Sequence, residues 1–156
     1  MNAARSVQGI VLSLAITACA WSDEPAKPPG EMLDLTDAVV VAAAGRSGPQ
    51  GKAVTVLVEE VAKRTQLRWP VVDPTPENVG KGAIIYVMMK EPRRGNEQRA
   101  TEGFEIELNP KDRTVFIHGN DPRGVLYGVG RLLREFRLSR GKAALPADFK
   151  IATAPK

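Results

Sequence analysis

The apolar positions of this chain change period several times, and each change marks an element. Residues 38–44, Ala-Val-Val-Val-Ala-Ala-Ala, form an unbroken β-rich apolar run, which suits a strand covered on both faces. Gly45 to Gly51 then reads as a loop. From Lys52 to Leu67 the period becomes helical. Val54, Leu57, Val58, Val61 and Ala62 recur at three- and four-residue spacing, with Glu59, Glu60, Lys63 and Arg64 on the other side. Arg68 to Gly82 holds Pro70, Pro74, Pro76 and Gly80, so it predicts a loop after at most a short strand over 69–72. Ala83 to Met89 reads as a second buried strand, and Glu91 to Thr101 as a charged, mobile loop.

The stretch from Glu102 to Phe136 has a local signal at every junction. Phe104, Ile106 and Leu108 alternate with Glu105 and Glu107, as in a half-exposed strand. Asn109 to Arg113 makes a turn, with Pro110 preset for its first corner. Val115 and Ile117 alternate with Phe116 and His118, giving the second strand of a hairpin. Asp121 is a natural N-cap, and Pro122 stands at the first helical position, where its missing N–H costs nothing. The helix that follows is expected to bury Val125, Leu126, Val129, Leu132, Leu133 and Phe136. Leu138 to Lys156 reads as a polar, proline-containing tail with one short edge strand near 143–145. The predicted order is β-α-β-β-β-α. It describes an α/β (α+β) sandwich with a mixed sheet of about four to five strands and two helices. No internal repeat is visible.

Composition narrows this further. A length of 156 residues suggests one domain. With 43% apolar residues and 5% aromatics, the core is expected to be aliphatic. The net charge of +4 comes from 22 basic and 18 acidic residues in mixed order, not from the dense basic stripe of a nucleic-acid binder, so no nucleic-acid partner is expected. Arg131, Arg134, Arg137, Arg140 and Lys142 gather late and read as a solvated helix face and its exit.

Residues 1–20 look like an export signal. Arg5 supplies the charge, and Val7 to Ala20 is apolar, of the length of a signal core and too short to span a bilayer. Ala18-Cys19-Ala20 fits cleavage before Trp21. Ile16-Thr17-Ala18-Cys19 also resembles a bacterial lipobox, which would lipidate Cys19, and only then is membrane attachment expected. A buried first helix is the remaining alternative. Cys19 is the only cysteine, so the mature chain is expected to hold no disulfide and no thiol chemistry. Residues 21–34, with Pro25, Pro28, Pro29 and Gly30, read as a linker, 35–146 as the domain, and 147–156 as a tail or the start of a further linker.

The candidate chemical motifs are weak. Gly45 to Lys52 joins a strand to a helix, but a phosphate loop needs glycine where Arg46 stands and Ser or Thr where Ala53 stands, and Pro49 removes an amide donor. Gly124, Gly128 and Gly130 lie inside the second helix rather than in a dinucleotide fingerprint. Gly124 and Gly128 bare one helix stripe for close approach to a sheet, despite the helix cost of glycine, up to about 1 kcal/mol. His118 is the only histidine and lacks the company a metal or a Ser-His-Asp site needs. Glu105 and Glu107 share a strand face, about 7 Å apart by strand rise. That could match an inverting pair of carboxylates, but it is also the common pattern of a wet strand. Glu59 and Glu60 are adjacent on a helix and cannot face each other. No catalytic, cofactor-binding or metal-binding residue is assigned, and no cofactor is expected.

The segments Glu102-Gly103-Phe104-Glu105-Ile106, Val115 to Gly119 and Arg123 to Leu133 together resemble a known module. It is the non-catalytic N-terminal α/β domain that precedes the (β/α)8 barrel in several glycoside hydrolase families, including bacterial β-N-acetylhexosaminidases and α-glucuronidases. Gly103 matches the Glu-Gly-aromatic opening of that pattern, and Gly124, Tyr127, Gly128, Leu132 and Leu133 match its last part. Asp121 and Pro122 start the helix between them. The resemblance covers about 35–145 and implies an exported accessory domain whose partner is a catalytic barrel, in cis or in trans. The barrel would carry the catalytic acids, and none of its residues lies in this sequence. Arg123 and Tyr127 are the candidate contacts to the barrel or to a glycan. A free-standing carbohydrate-binding or interaction module, and a truncated gene product, remain as alternatives.

Overall fold

The structure, a computed structural model, describes residues 30–42, 47–75, 82–91 and 100–153. The expected export signal, Cys19, most of the expected linker and residues 92–99 of the expected mobile loop lie outside the described residues. The described chain runs through β1 (Met32–Asp34), β2 (Val39–Val41), α1 (Gly48–Thr65), β3 (Val71–Val72), β4 (Ile84–Met89), β5 (Phe104–Asn109), β6 (Thr114–Gly119), α2 (Pro122–Glu135), β7 (Arg137–Ser139), β8 (Lys142–Pro146) and β9 (Ile151–Thr153). Six strands form a mixed sheet in the order β3-β2-β4-β6-β5-β9, and β1-β8-β7 form a small antiparallel sheet. The protein is therefore an α/β fold.

The main sheet is parallel through β3, β2, β4 and β6, and antiparallel at β5 and β9. Its register places one row of aliphatic side chains side by side. Val40 pairs Ile85, Ile85 pairs Val115, Val87 pairs Ile117, and Ile117 pairs Ile106. All six are fully buried. α2 lies across β6 and β5 and beside α1, adding Val125, Val129 and Leu132 from one helix and Ala53, Leu57 and Val61 from the other, each without exposure. The core is aliphatic apart from Trp69 and Phe136, whose ring centroids stand 5.8 Å apart.

Several boundaries differ from the expectation, each for a local reason. α1 begins at Gly48, four residues before the predicted Lys52. Ser47 is its extended N-cap, and Pro49 falls in the first turn, where the backbone has no use for its N–H. At the other end Gln66 takes the left-handed conformation (φ 66°) and returns its N–H to the Ala62 carbonyl, a cap usually given to glycine. β2, in the run predicted as the first strand, spans Val39–Val41 and ends before Ala42, and Met89 at the end of β4 is exposed. Leu126 is half-buried rather than buried, and Phe136 is buried just beyond the end of α2.

The main sheet exceeds the predicted four to five strands because β9, in the segment read as tail, joins its edge, and the segments read as linker and tail also form the separate small sheet. In the linker, β1 pairs with β8, placing Leu33 opposite Leu145, both buried. In the tail, β7 turns into β8 at Gly141 (φ +72°), and β9 adds itself to β5 through Phe104–Thr153, Glu105–Ala152 and Ile106–Ile151. Three-residue strands carry no periodicity long enough to read.

Candidate functional site

The hairpin-to-helix junction is the most densely determined part of the fold. Asp121 is the extended N-cap of α2, and its carboxylate accepts two backbone N–H bonds, from Gly124 at 2.7 Å and from Glu102 at 2.7 Å. One side chain thus caps the helix and ties it to the turn that leads into β5, 19 residues earlier. The N–H bond from Glu102, followed by that from Gly124, holds the Asp121 carboxyl below its ordinary value. Glu102 in turn accepts from Arg123 at 3.0 Å across the helix start. Glu102, Asp121 and Arg123, with Pro49, Thr101 and Pro122, line an open cleft of about 500 Å³ where both helices begin.

Glycine is required at this junction. A Cβ on Gly124 would lie 2.2 Å from the Gly103 carbonyl oxygen, and one on Gly119 would lie 2.3 Å from the Val125 nitrogen. A Cβ on Gly128 would meet the Ile117 methyl at 2.8 Å. The Gly103 carbonyl is meanwhile fixed by the Asn120 N–H at 2.8 Å. Leu132 and Leu133 are buried beneath the same helix, while Arg123 and Tyr127 stand on its outer side, Tyr127 with 44% of its surface exposed.

The sheet face away from the core carries a second group of side chains. Tyr86 stacks on Phe116 (5.1 Å, 6°) and Phe116 on His118 (5.9 Å, 14°). Glu105 and Glu107 lie in register with His118 and Phe116 on this face, but each is closed by a lysine, Lys90 at 2.5 Å and Lys150 at 2.5 Å. The Lys90 bond holds Glu105 below its ordinary value, and partial burial, reinforced by Lys90, holds His118 below its own. A smaller cleft of about 280 Å³ lies where this face meets Asp148 and Phe149.

The sequence brings Gly103, Asp121, Pro122, Arg123, Gly124 and Gly128 to one place, and the structure places them there together. Lys90 and Lys150 as partners of the two glutamates were not read from sequence. They come from the residue that follows β4 and from the loop before β9, and only the register of the folded sheet brings them to β5. Among the described residues, no group of three or more His, Cys, Asp and Glu could hold a metal ion, and no helix is long and apolar enough to cross a membrane.

Two effects on stability follow. Asp121→Ala leaves the Gly124 and Glu102 N–H groups without their acceptor and is expected to cost about 1–2 kcal/mol in urea unfolding. Asp121→Asn, which keeps an acceptor, should cost less. For pH, Asp121, Asp34 and Glu105 all titrate below their ordinary values when folded, Asp34 through the Thr36 bonds. Their stabilisation is present above the unfolded values of 3.8 and 4.5 and is lost as pH falls through the lower folded values. His118 adds in the same direction. Its depressed folded value means the unfolded chain takes up the proton first, below 6.5. Thermal midpoints should therefore fall gently below pH 6.5 and steeply below 4.5. His118→Gln should remove only the upper part of that loss.

No protein-family model matches this sequence, and no curated protein does. Among solved structures, the chain is similar to the GH20 β-N-acetylhexosaminidase from Streptomyces coelicolor A3(2), with a TM-score of 0.54 and 16% identity over 83% of this chain and 25% of that one. It is similar also to the Streptomyces plicatus N-acetyl-β-hexosaminidase, with 0.53 and 18% over 81% and 24%. The GH115 4-O-methyl-α-glucuronidase BtGH115A gives 0.52 and 16% over 80% and 18%. At these identities the likeness is one of fold, and the chain spans a quarter or less of the length of each enzyme.

Proposed function

We propose that this chain is an exported, non-catalytic accessory domain of a glycoside hydrolase and serves as a rigid support for a (β/α)8 catalytic barrel. One observation carries the reading. Four-fifths of the chain matches the fold of a quarter or less of enzymes from two different glycoside hydrolase families. A module that recurs beside different sugar specificities has its use in architecture rather than in one bond cleavage. The glutamates of the sheet face fit this role. Each is neutralised by a lysine, whereas hydrolysis needs one carboxyl free to donate a proton and another to act as base or nucleophile.

The alternative of a free-standing carbohydrate-binding module would look to the Tyr86, Phe116 and His118 rings. These rings stack on one another, and a sugar needs an aromatic face turned outward. Export, with or without lipidation of Cys19, belongs to the proposal through the N-terminal sequence alone. The test is an assay of the full chain on nitrophenyl N-acetylglucosaminide and glucuronide, together with reading of the coding sequence beyond Lys156. No turnover, and a barrel-coding frame joined or adjacent, are expected. Turnover that co-purifies with the chain would sink the proposal, and calorimetric binding of a glycan by the chain alone would favour the alternative.

A further inference from the structure

Five cations gather at the end of the molecule where both helices finish, away from the cleft where they begin. Arg68 follows α1, Arg134 lies in the last turn of α2, Arg137 opens β7, and Arg140 and Lys142 flank Gly141 in the turn from β7 to β8. All five are exposed, and none of their side chains makes an ion pair or a hydrogen bond among the described residues. The Gly141 N–H donates to the Thr65 carbonyl at 2.8 Å, which sets that turn against the end of α1. The Trp69 and Phe136 rings are in contact, which brings their sequence neighbours Arg68 and Arg137 to the same end. Other basic residues nearby are already matched, Lys63 and Arg64 by Glu60 and Arg131 by Glu135.

The small sheet gives this end a flat outer face. Its register turns Leu33, Leu138, Ala143 and Leu145 toward the core and leaves Met32, Asp34, Arg137, Ser139 and Lys142 exposed on the other side. Asp34 is the one acid of that face among the described strand residues. Its carboxylate accepts the Thr36 N–H and is attracted to Arg113 as well as to Lys142. The same sheet contains β1, where the described chain starts. Only residues 20–31 separate Cys19 from Met32, at most about 45 Å of extended chain. A lipid on Cys19 therefore holds this end of the domain nearest to a bilayer.

We infer that the outer face of the small sheet, with the cations around it, docks on a bilayer that carries anionic lipid headgroups. The five cations meet the lipid phosphates, and Met32 enters the headgroup layer. The inference rests on the export part of the accessory-domain reading and adds the face that meets the membrane. Two features choose the occupant. Clustered cations of this number give appreciable affinity for an anionic bilayer, and a basic patch is the second signal that turns marginal lipid anchoring into stable attachment. A single strand of nucleic acid needs aromatic faces exposed among the cations, and Trp69 and Phe136 are both buried. A second copy of the chain would set cations against cations.

The test uses the full chain as recovered after expression with its own N-terminus, carrying Cys19→Ala so that no lipid can be attached. The probes are vesicles of phosphatidylcholine mixed with phosphatidylglycerol, and of phosphatidylcholine alone. Co-sedimentation should be about tenfold or more stronger with the anionic vesicles and should weaken with added salt. Arg140→Glu and Lys142→Glu should each weaken it roughly five- to tenfold. Lys52→Glu, an equal change of charge at the far end of α1, should leave it unchanged. All three positions are exposed, so circular dichroism should show the fold intact in each variant. Equal binding to the two kinds of vesicle, or equal weakening by Lys52→Glu, would overturn the inference and leave the accessory-domain reading standing. Tighter binding to single-stranded RNA than to anionic vesicles, or a dimer dissolved by Arg140→Glu, would overturn the assigned occupant. The mass of the recovered parent chain reads export separately: a chain that keeps residues 1–20 fails the export reading whatever the vesicles show.

Discussion

Gly124→Ala is expected to cost about 3 kcal/mol or more, or to prevent folding altogether. The added Cβ would stand 2.2 Å from the Gly103 carbonyl oxygen, and the next atoms it meets are also backbone. Flexible side chains can swing away from such a contact; this carbonyl cannot. It is fixed by the Asn120 N–H, and the helix is fixed from the other side by Asp121. Relief therefore requires moving α2 off β5 and β6 as a body, which opens the contacts of Val125, Val129 and Leu132. Overpacking that reaches the backbone in this way lies at the upper end of its usual range. Urea unfolding followed by circular dichroism measures it. A loss under 1 kcal/mol would mean that the helix can shift without disturbing the core. The sign should reverse six residues later at Gly130, in mid-helix, where an added Cβ meets nothing within 4 Å, so the two alanines form a matched pair with opposite outcomes.

Leu132→Ala is expected to cost about 3 kcal/mol, within the range of roughly 2–5 seen for buried leucines. Leu132 is fully buried where α2 meets the core, and a mostly aliphatic surround packed on a sheet collapses poorly into a void. Its neighbour Leu133 keeps 7% exposure, so the same truncation there should cost less. Equal losses at the two positions would show that the helix face is not oriented as described.

These effects can be placed because the part of the fold that sets them is legible in the sequence. The alternation of Phe104, Ile106 and Leu108, the Pro110 turn and the Asp121-Pro122 start are decided by residues a few positions apart, and hairpin and helix stand as those signals direct. Legibility ends where distant segments choose neighbours. An apolar run such as 38–44 states that it is covered on both faces but not that β4 lies on one side of β2 and two residues of β3 on the other. β1, β7 and β9 are three residues each, so their polar flanks read as linker and tail, although the hydrogen-bond ladders of their partners hold them in the fold. The same limit applies to the site. The glycine stripe is visible in the spacing of one helix, whereas the lysines closing Glu105 and Glu107 come from residues 15 and 43 positions away.

The clamp made by Asp121 bears on how the molecule forms and opens. Its two acceptor bonds join residue 102 to residue 124, so the hairpin and the helix close on themselves within one continuous stretch, with short loops and little entropy to overcome. The parallel pairings of β2, β4 and β6 must instead bring together segments tens of residues apart. The stretch from Glu102 to Glu135 is therefore expected to form early, with the slower parallel strands and β1 assembling onto it. In partial opening the order is expected to reverse, and native-state amide exchange should find this unit protected longest.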